Sequence, residues 1–267
     1  MNKYAAFLAG ILAFVVSNTA LAATPDITQP QVNNPSQVLF VGNSYFYYNN
    51  SLHNHVRRIV AASNSNNSAD LDKRMQYKSA TIGGSSLDHH NIDWLTQPGK
   101  IGVKEPFELV ILAGNSGDAL SDKTRALFAK TVAAHNQVIT SRGGKTALYM
   151  TPAYVAPSKE VDPQNMRKIE DMYTTVANDI KAMTIPVGLA FEEAYRRYPT
   201  LKLHDAQDGS HPTALGTYLA ACTVVASVYA VSPVGNPYTM YGTVDPATAA
   251  QLQQVAVDVV NRFFGRK

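Results

Sequence analysis

The sequence predicts an α/β fold, a five-stranded parallel sheet covered on both faces by helices. Two observations point there. Short apolar runs of strand length alternate along the chain with longer segments of helical periodicity, the pattern of parallel strands joined by crossover helices. The runs also read as apolar throughout rather than alternating, as expected where a sheet is buried on both faces. Composition agrees. Of 267 residues, 45% are hydrophobic and 16% charged, enough to build a sizeable core and too apolar for a disordered chain.

Taken in order, Val38 to Gly42 (VLFVG) is the first strand, ending at glycine. Leu52 to Ala62 reads as a helix. Gln76 to Ile82 is the second strand, closed by Gly83-Gly84, and Phe107 to Ala113 (FELVILA) the third, closed by Gly114. Asp122 to Ser141 is helical, with Gly143-Gly144 as its stop signal. Thr146 to Thr151 is the fourth strand, Pro163 to Met183 a helix, and the stretch from Ile185 to Phe191 contains the fifth strand. Two helices finish the chain. One starts at Pro212; the other starts at Pro246 behind a capping Asp245 and turns Leu252, Val255, Val259 and Phe263 to one face. The Asn/Ser cluster from Ser63 to Ser68 reads as a surface loop. With no internal repeat or composition break, residues 37–267 read as a single domain, preceded by a proline-punctuated extended lead-in over 23–36.

The first 22 residues read as an address. Lys3 supplies a positive start, Tyr4 to Val16 is mostly apolar, and Ala20-Leu21-Ala22 has the small-x-small pattern of a secretory cleavage site. The run falls short of the about 20 apolar residues that a membrane span needs. The expectation is an exported chain, periplasmic or extracellular, with no stable membrane anchor after cleavage.

A net charge of +3, without a basic run, gives no footprint for nucleic acid. The single cysteine, Cys222, can form no internal disulfide and no Cys-rich metal site. Its place in the helix from Pro212, beside Leu215, Leu219 and Val225, makes it a core residue. Asp88, His89, His90 and Asp93 are rich in metal-ligand types, but adjacent histidines do not share a helix face, so a solvated loop or helix start is the preferred reading.

In such sheets ligands bind at the carboxyl ends of the strands. Three strands end in Gly42-Asn43-Ser44, Gly83-Gly84-Ser85-Ser86 and Gly114-Asn115-Ser116, and Asp208 and His211 precede the helix at Pro212. A serine hydroxyl is a poor nucleophile until a base takes its proton, and histidine ordinarily titrates near neutral pH. His211 is therefore the candidate base for Ser44, with Asp208, three residues earlier, placed to orient its ring. His204-Asp205 is a second such pair but lies farther from the helix start. The N–H groups of Ser44 and Gly84 and the amide of Asn115 are the candidate oxyanion donors. Singly, each residue has a structural alternative: Ser44 and His211 as helix caps, Asn115 as a turn residue, Asp208 as a loop acid. Tyr45, Phe46, Tyr47 and Tyr48 either line an acyl or sugar pocket or pack under the first loop, and Tyr238 and Tyr241 are candidates to overhang the same edge.

The blocks Val41-Gly42-Asn43-Ser44, Gly84-Ser85-Ser86, Gly114-Asn115-Ser116 and Asp208-x-x-His211-Pro212, in this order after successive strands, resemble the SGNH (GDSL-type) hydrolase superfamily as a divergent subgroup. The resemblance spans roughly Val38 to Ala230. It implies a flavodoxin-like three-layer α/β/α fold, a catalytic Ser44–Asp208–His211 triad, an oxyanion hole of Ser44, Gly84 and Asn115, and no cofactor. Two positions depart from the family pattern: Asn43 stands for the usual aspartate before the nucleophile, and Ser116 for an aspartate after the block asparagine.

The resulting expectation is a secreted serine esterase working through an acyl-enzyme. Family behaviour together with export favours removal of small O-acetyl-type groups from carbohydrate. A lipid-directed esterase of the same fold and a non-catalytic carbohydrate-binding protein that kept the fold are the alternatives.

Overall fold

The structure, a computed structural model, describes residues 23–63 and 73–267. The leader expected over residues 1–22 and most of the Asn/Ser cluster lie outside the described residues.

Five strands form one parallel sheet: β1 (Gln37–Gly42), β2 (Gln76–Thr81), β3 (Leu109–Leu112), β4 (Lys145–Tyr149) and β5 (Met183–Ile185), in the order β2-β1-β3-β4-β5. Successive side chains of a strand face opposite sides. Val38 and Phe40 of β1 therefore enter one core, with Leu52, Tyr218 and Leu252, while Leu39 and Val41 enter the other, with Phe128 and Tyr173. Both faces are buried, which is why β1, β3 and β4 read as nearly continuous apolar runs.

The first core is roofed by α2 (Leu52–Ala62), α6 (Val187–Arg197), α7 (Ala214–Val228) and α8 (Pro246–Phe264); the second by α4 (Asp122–Ser141) and α5 (Asn165–Asp179). Two one-turn helices, α1 (Ser44–Tyr47) and α3 (Ile92–Leu95), and a 3-10 turn over Leu87–His89 complete the helical set among the described residues. Helix α7 is buried on almost every side, and Cys222 within it is fully buried, as its sequence neighbours suggested. Asp245 caps α8 by accepting the Thr248 N–H at 3.0 Å. No helix among the described residues is long and apolar enough to cross a membrane.

Four expectations need correction. The fifth strand is Met183–Ile185, and Val187 to Phe191 begins α6 instead. Helix α5 stops at Asp179, and Lys181 reverses the chain in left-handed geometry (φ 54°), so the helix does not reach Met183. Strand and following helix are both apolar, and only Pro186, at the N-cap of α6, marks the boundary between them. The second strand, QYKSAT, is not apolar throughout; it is a half-exposed edge strand bonded to β1. The helix expected from Pro212 starts at Ala214, with the Thr213 hydroxyl accepting the Gly216 N–H, because Pro212 is held in an isolated bridge to His204.

Chain direction across the sheet reverses at β1: β2 lies on one side and β3 on the other. A crevice opens at such a switch point, outside the carboxyl ends of the two diverging strands. Gly42 pairs with Thr81 and Val41 with Leu112, so the segments after β1, β2 and β3 all emerge at this edge.

Candidate active site

The site grows from the end of β1. Gly42 sits where a side chain would crowd its neighbours. A Cβ at this position would lie 3.0 Å from the Ala113 Cβ and 3.2 Å from its carbonyl oxygen. Asn43 then caps α1, its Oδ1 accepting the Tyr45 N–H at 3.3 Å. Its Nδ2 donates to the carbonyls of Ser85 (3.1 Å) and Gly114 (3.0 Å). One buried amide thus ties together the segments that follow β1, β2 and β3. Ser44 opens α1, and the first N–H groups of a helix have no intrahelical acceptor, so its own N–H is a donor available to a ligand.

The partner loop comes from far along the chain. Asp208 Oδ1 accepts the backbone N–H groups of Ser210 (2.7 Å) and His211 (2.9 Å), an Asx-type turn that folds the loop back on itself. Its Oδ2 meets His211 Nδ1 at 2.6 Å, and His211 Nε2 meets Ser44 Oγ at 2.8 Å. Burial pushes the Asp208 carboxyl up, but the imidazole and the two backbone donors outweigh it and hold the group below the usual carboxylate range. An ionised Asp208 keeps the proton on Nδ1 and leaves Nε2 able to accept from the serine. Gly209 makes this turn possible. Its φ is +64°, and a Cβ there would lie 2.0 Å from the Val155 carbonyl oxygen. Val155 in turn donates its N–H to the Gly209 carbonyl at 2.9 Å, so the loop after β4 buttresses the turn.

On the opposite side Asn115 is held at three points. Its N–H donates to Asp118 Oδ2 (2.8 Å), its Oδ1 accepts from the Gly117 N–H (2.9 Å), and its Nδ2 donates to the Gly84 carbonyl (2.9 Å). A primary amide carries two N–H groups, so the bond to Gly84 leaves one for a ligand. Gly84 has φ +66° and open space where a Cβ would stand. Burial pushes the Asp118 carboxyl up to about 6, against the Asn115 N–H and the Ser86 hydroxyl, which pull it down.

All five residues singled out from the sequence therefore sit around the crevice: Ser44, His211 and Asp208 as one hydrogen-bonded chain, and Asn115 and Gly84 bonded to each other. The aromatic run divides. Phe46 is core, packed edge-on to Phe40 and Tyr149, whereas Tyr45 and Tyr48 flank the His211 ring and Tyr47 is 42% exposed. His204 is buried, with Nδ1 at 2.8 Å from the Tyr195 hydroxyl, and desolvation lowers its pKa to about 4; it anchors the loop from beneath. Tyr238 bonds to His55 at 2.8 Å and packs against Tyr241, which Arg58 overlies.

Sequence reasoning missed the double donation by Asn43, the buttress at Val155 and the carboxylate behind Asn115. The first two join segments far apart in the chain, so no spacing rule carries them; the third is local, Asp118 accepting an N–H three residues back, and its residue type alone suggests a loop acid. His90 is buried rather than solvated, with Nε2 at 3.2 Å from the Ser85 hydroxyl, and Asp93 pairs with Arg142. Among the described residues no three His, Cys, Asp or Glu side chains gather as metal ligands.

This architecture recurs in solved structures. A DUF4886 family protein from Bacteroides uniformis superposes with a TM-score of 0.62 at 18% identity, covering 86% of this chain and 95% of that one. A candidate SGNH hydrolase from Slackia heliotrinireducens gives 0.56 at 17% identity, covering 71% and 97%. This is the fold of the SGNH hydrolases. A catalytic mutant of an acetylxylan esterase from Geobacillus stearothermophilus superposes too, at a TM-score of 0.55 and 15% identity over 74% and 95% of the two chains. No family model matches the sequence, and no curated protein matches it. The likeness is thus one of fold, and the chemistry rests on the residues themselves.

Proposed function

We propose that the protein is an exported serine ester hydrolase that removes small acyl groups, of the O-acetyl type, from carbohydrate. The observation that carries this reading is the chain Ser44 Oγ–His211 Nε2–His211 Nδ1–Asp208 Oδ2, at 2.8 and 2.6 Å, closed between residues 167 positions apart in sequence. Caps and turns have no need of that convergence at a strand-end crevice.

The reaction follows from the geometry. Nε2 takes the Ser44 proton as Oγ attacks the ester carbonyl, and Asp208 stabilises the imidazolium that results. The N–H groups of Ser44 and Gly84 and the free N–H of Asn115 receive the oxyanion. Collapse breaks the bond to the alcohol oxygen, which takes the proton from His211, and leaves the acyl group on Ser44. Water then repeats the sequence: His211 takes its proton, the hydroxyl adds to the acyl carbon, and Ser44 leaves reprotonated. No step draws on a cofactor.

The substrate class is read from the surroundings of the site. Support comes from the acetylxylan esterase among the structural neighbours and from the exposed Tyr47 ring beside the site, a surface of the kind on which sugar rings stack. The test is hydrolysis of p-nitrophenyl acetate, an acetylated xylo-oligosaccharide and a decanoyl ester by wild type and Ser44→Ala. The reading expects acetyl esters to be cleaved fastest and Ser44→Ala to lose the activity. Preference for the decanoyl ester would make it a lipid-directed enzyme, and equal, negligible rates for the two proteins would leave a binding protein.

A further inference from the structure

We infer that Tyr48 is a positioning residue for the imidazole of His211, holding its plane. The inference rests on the Ser44–His211–Asp208 reading and adds to it. The Tyr48 ring lies 4.4 Å from the His211 ring, centroid to centroid, and within 10° of parallel. Tyr45 is a looser neighbour at 6.2 Å and 29°, with its hydroxyl engaged by Ser210 Oγ at 3.1 Å.

Local chain geometry explains the contact. Tyr48 stands one helical turn after Ser44, and its N–H donates to the Ser44 carbonyl at 3.2 Å. The same turn therefore carries the hydroxyl and the ring on which its base rests. The next residue repeats the link. Asn49 Nδ2 donates to the Pro212 carbonyl at 2.9 Å and to Thr217 Oγ1 at 2.8 Å. Two consecutive residues, Tyr48 and Asn49, so engage two consecutive residues, His211 and Pro212, from the other end of the chain. That pairing fixes the loop relative to Ser44 independently of the hydrogen bond between serine and imidazole.

The chemical consequence is one of orientation. His211 must receive a proton from Ser44 and deliver it to the alcohol oxygen, so its plane has to contain both directions. A ring stacked flat on it opposes tilting, and misplacement of a reacting group by about 1 Å can cost 10²-fold in rate. The other groups facing this imidazole are the Asp208 carboxylate at Nδ1, the Ser44 hydroxyl at Nε2 and the Tyr45 ring; Asp205 donates its N–H to the His211 carbonyl, and its carboxylate accepts from the Gln207 N–H. Tyr48 is half-buried at the surface, so its loss is felt by the site more than by the core.

The test compares kcat and KM on p-nitrophenyl acetate for wild type, Tyr48→Leu and Tyr48→Phe, with Ser44→Ala as the control. Tyr48→Leu is expected to lower kcat about 10-fold with KM within about twofold, because the base is misaligned while substrate binding is untouched. Tyr48→Phe restores kcat to within about threefold, since the ring acts and not the hydroxyl. Tyr48→Met replaces the leucine variant if that one does not fold. Wild-type kcat in Tyr48→Leu would overturn the inference, as would a phenylalanine variant as impaired as leucine. A wild-type rate equal to that of Ser44→Ala would instead remove the reading beneath it.

Discussion

Asn43 donates from its side-chain amide to the Gly114 carbonyl at 3.0 Å while the same nitrogen reaches the Ser85 carbonyl at 3.1 Å. Both amide hydrogens are thereby used, and both acceptors are backbone oxygens in a buried place. This gives a physical reason for asparagine where the family pattern has aspartate. A carboxylate here would face two carbonyl oxygens with no hydrogen to offer. Asn43→Asp is expected to destabilise the protein by about 2–4 kcal/mol at pH 7 and to lower kcat, because the strand-end segments lose their common tie. Urea unfolding checks the first part, and an unchanged midpoint would refute it.

Asn115 bonds to the Gly84 carbonyl with one amide hydrogen, which leaves the other for the oxyanion of the proposed reaction. Asn115→Ala should lower kcat about 10²–10³-fold with little change in KM, the signature of a donor used in the transition state. Steady-state kinetics on an acetyl ester read this directly, and a loss confined to KM would remove Asn115 from the oxyanion role.

Gly209 is the one position in the turn where any side chain collides with backbone, at 2.0 Å from the Val155 oxygen and with φ +64°. Gly209→Ala should cost about 2–4 kcal/mol of stability and, by moving Asp208 and His211, at least about tenfold in kcat/KM. Thermal unfolding and kinetics together test it; a variant with wild-type values for both would show that the turn relaxes freely.

Asp118 supplies a pH dependence. Burial raises its carboxyl from 3.8 to about 6 in the folded chain. A raised folded pKa means that stability is fully present below the unfolded value and is lost as pH rises towards and through 6. Asp118→Asn removes the ionisation while its carbonyl oxygen still accepts the Asn115 N–H. Relative to wild type, the variant should be no more stable at pH 4 and more stable by about 1–3 kcal/mol at pH 8. Melting temperatures across that range decide it; a difference that does not vary with pH would contradict the assignment.

Much of this fold was legible because its parallel strands are buried on both faces. VLFVG and FELVILA announce β1 and β3 by composition alone, and Asp245-Pro246 and Gly143-Gly144 punctuate the helices beside them. Legibility failed where that physics changes. At β2, whose span the sequence still marked, only the uniformly apolar pattern fails, because this edge strand is half-exposed. At Pro186 an apolar strand runs into an apolar helix, so periodicity offered no boundary. The site divides in the same way. Ser44, Asp208, His211, Gly84 and Asn115 carry chemistry in their residue type and follow strand ends or precede a helix. Asn43, Tyr48 and Val155 act through contacts between segments far apart in the chain, and Asp118 through a local contact to the Asn115 N–H; their types alone suggest caps, packing or loop.

The chain from Asp208 to Ser44 is the centre of the account, and its consequence is a reactive Ser44 hydroxyl. The most direct measurement is mass spectrometry of the protein after treatment with a serine-reactive alkyl phosphonate. The account predicts one adduct, on the peptide containing Ser44, absent from Ser44→Ala and formed at least about 10²-fold more slowly in His211→Ala. Ester hydrolysis that persists while Ser44 stays unlabelled, or an adduct on another residue, would contradict it.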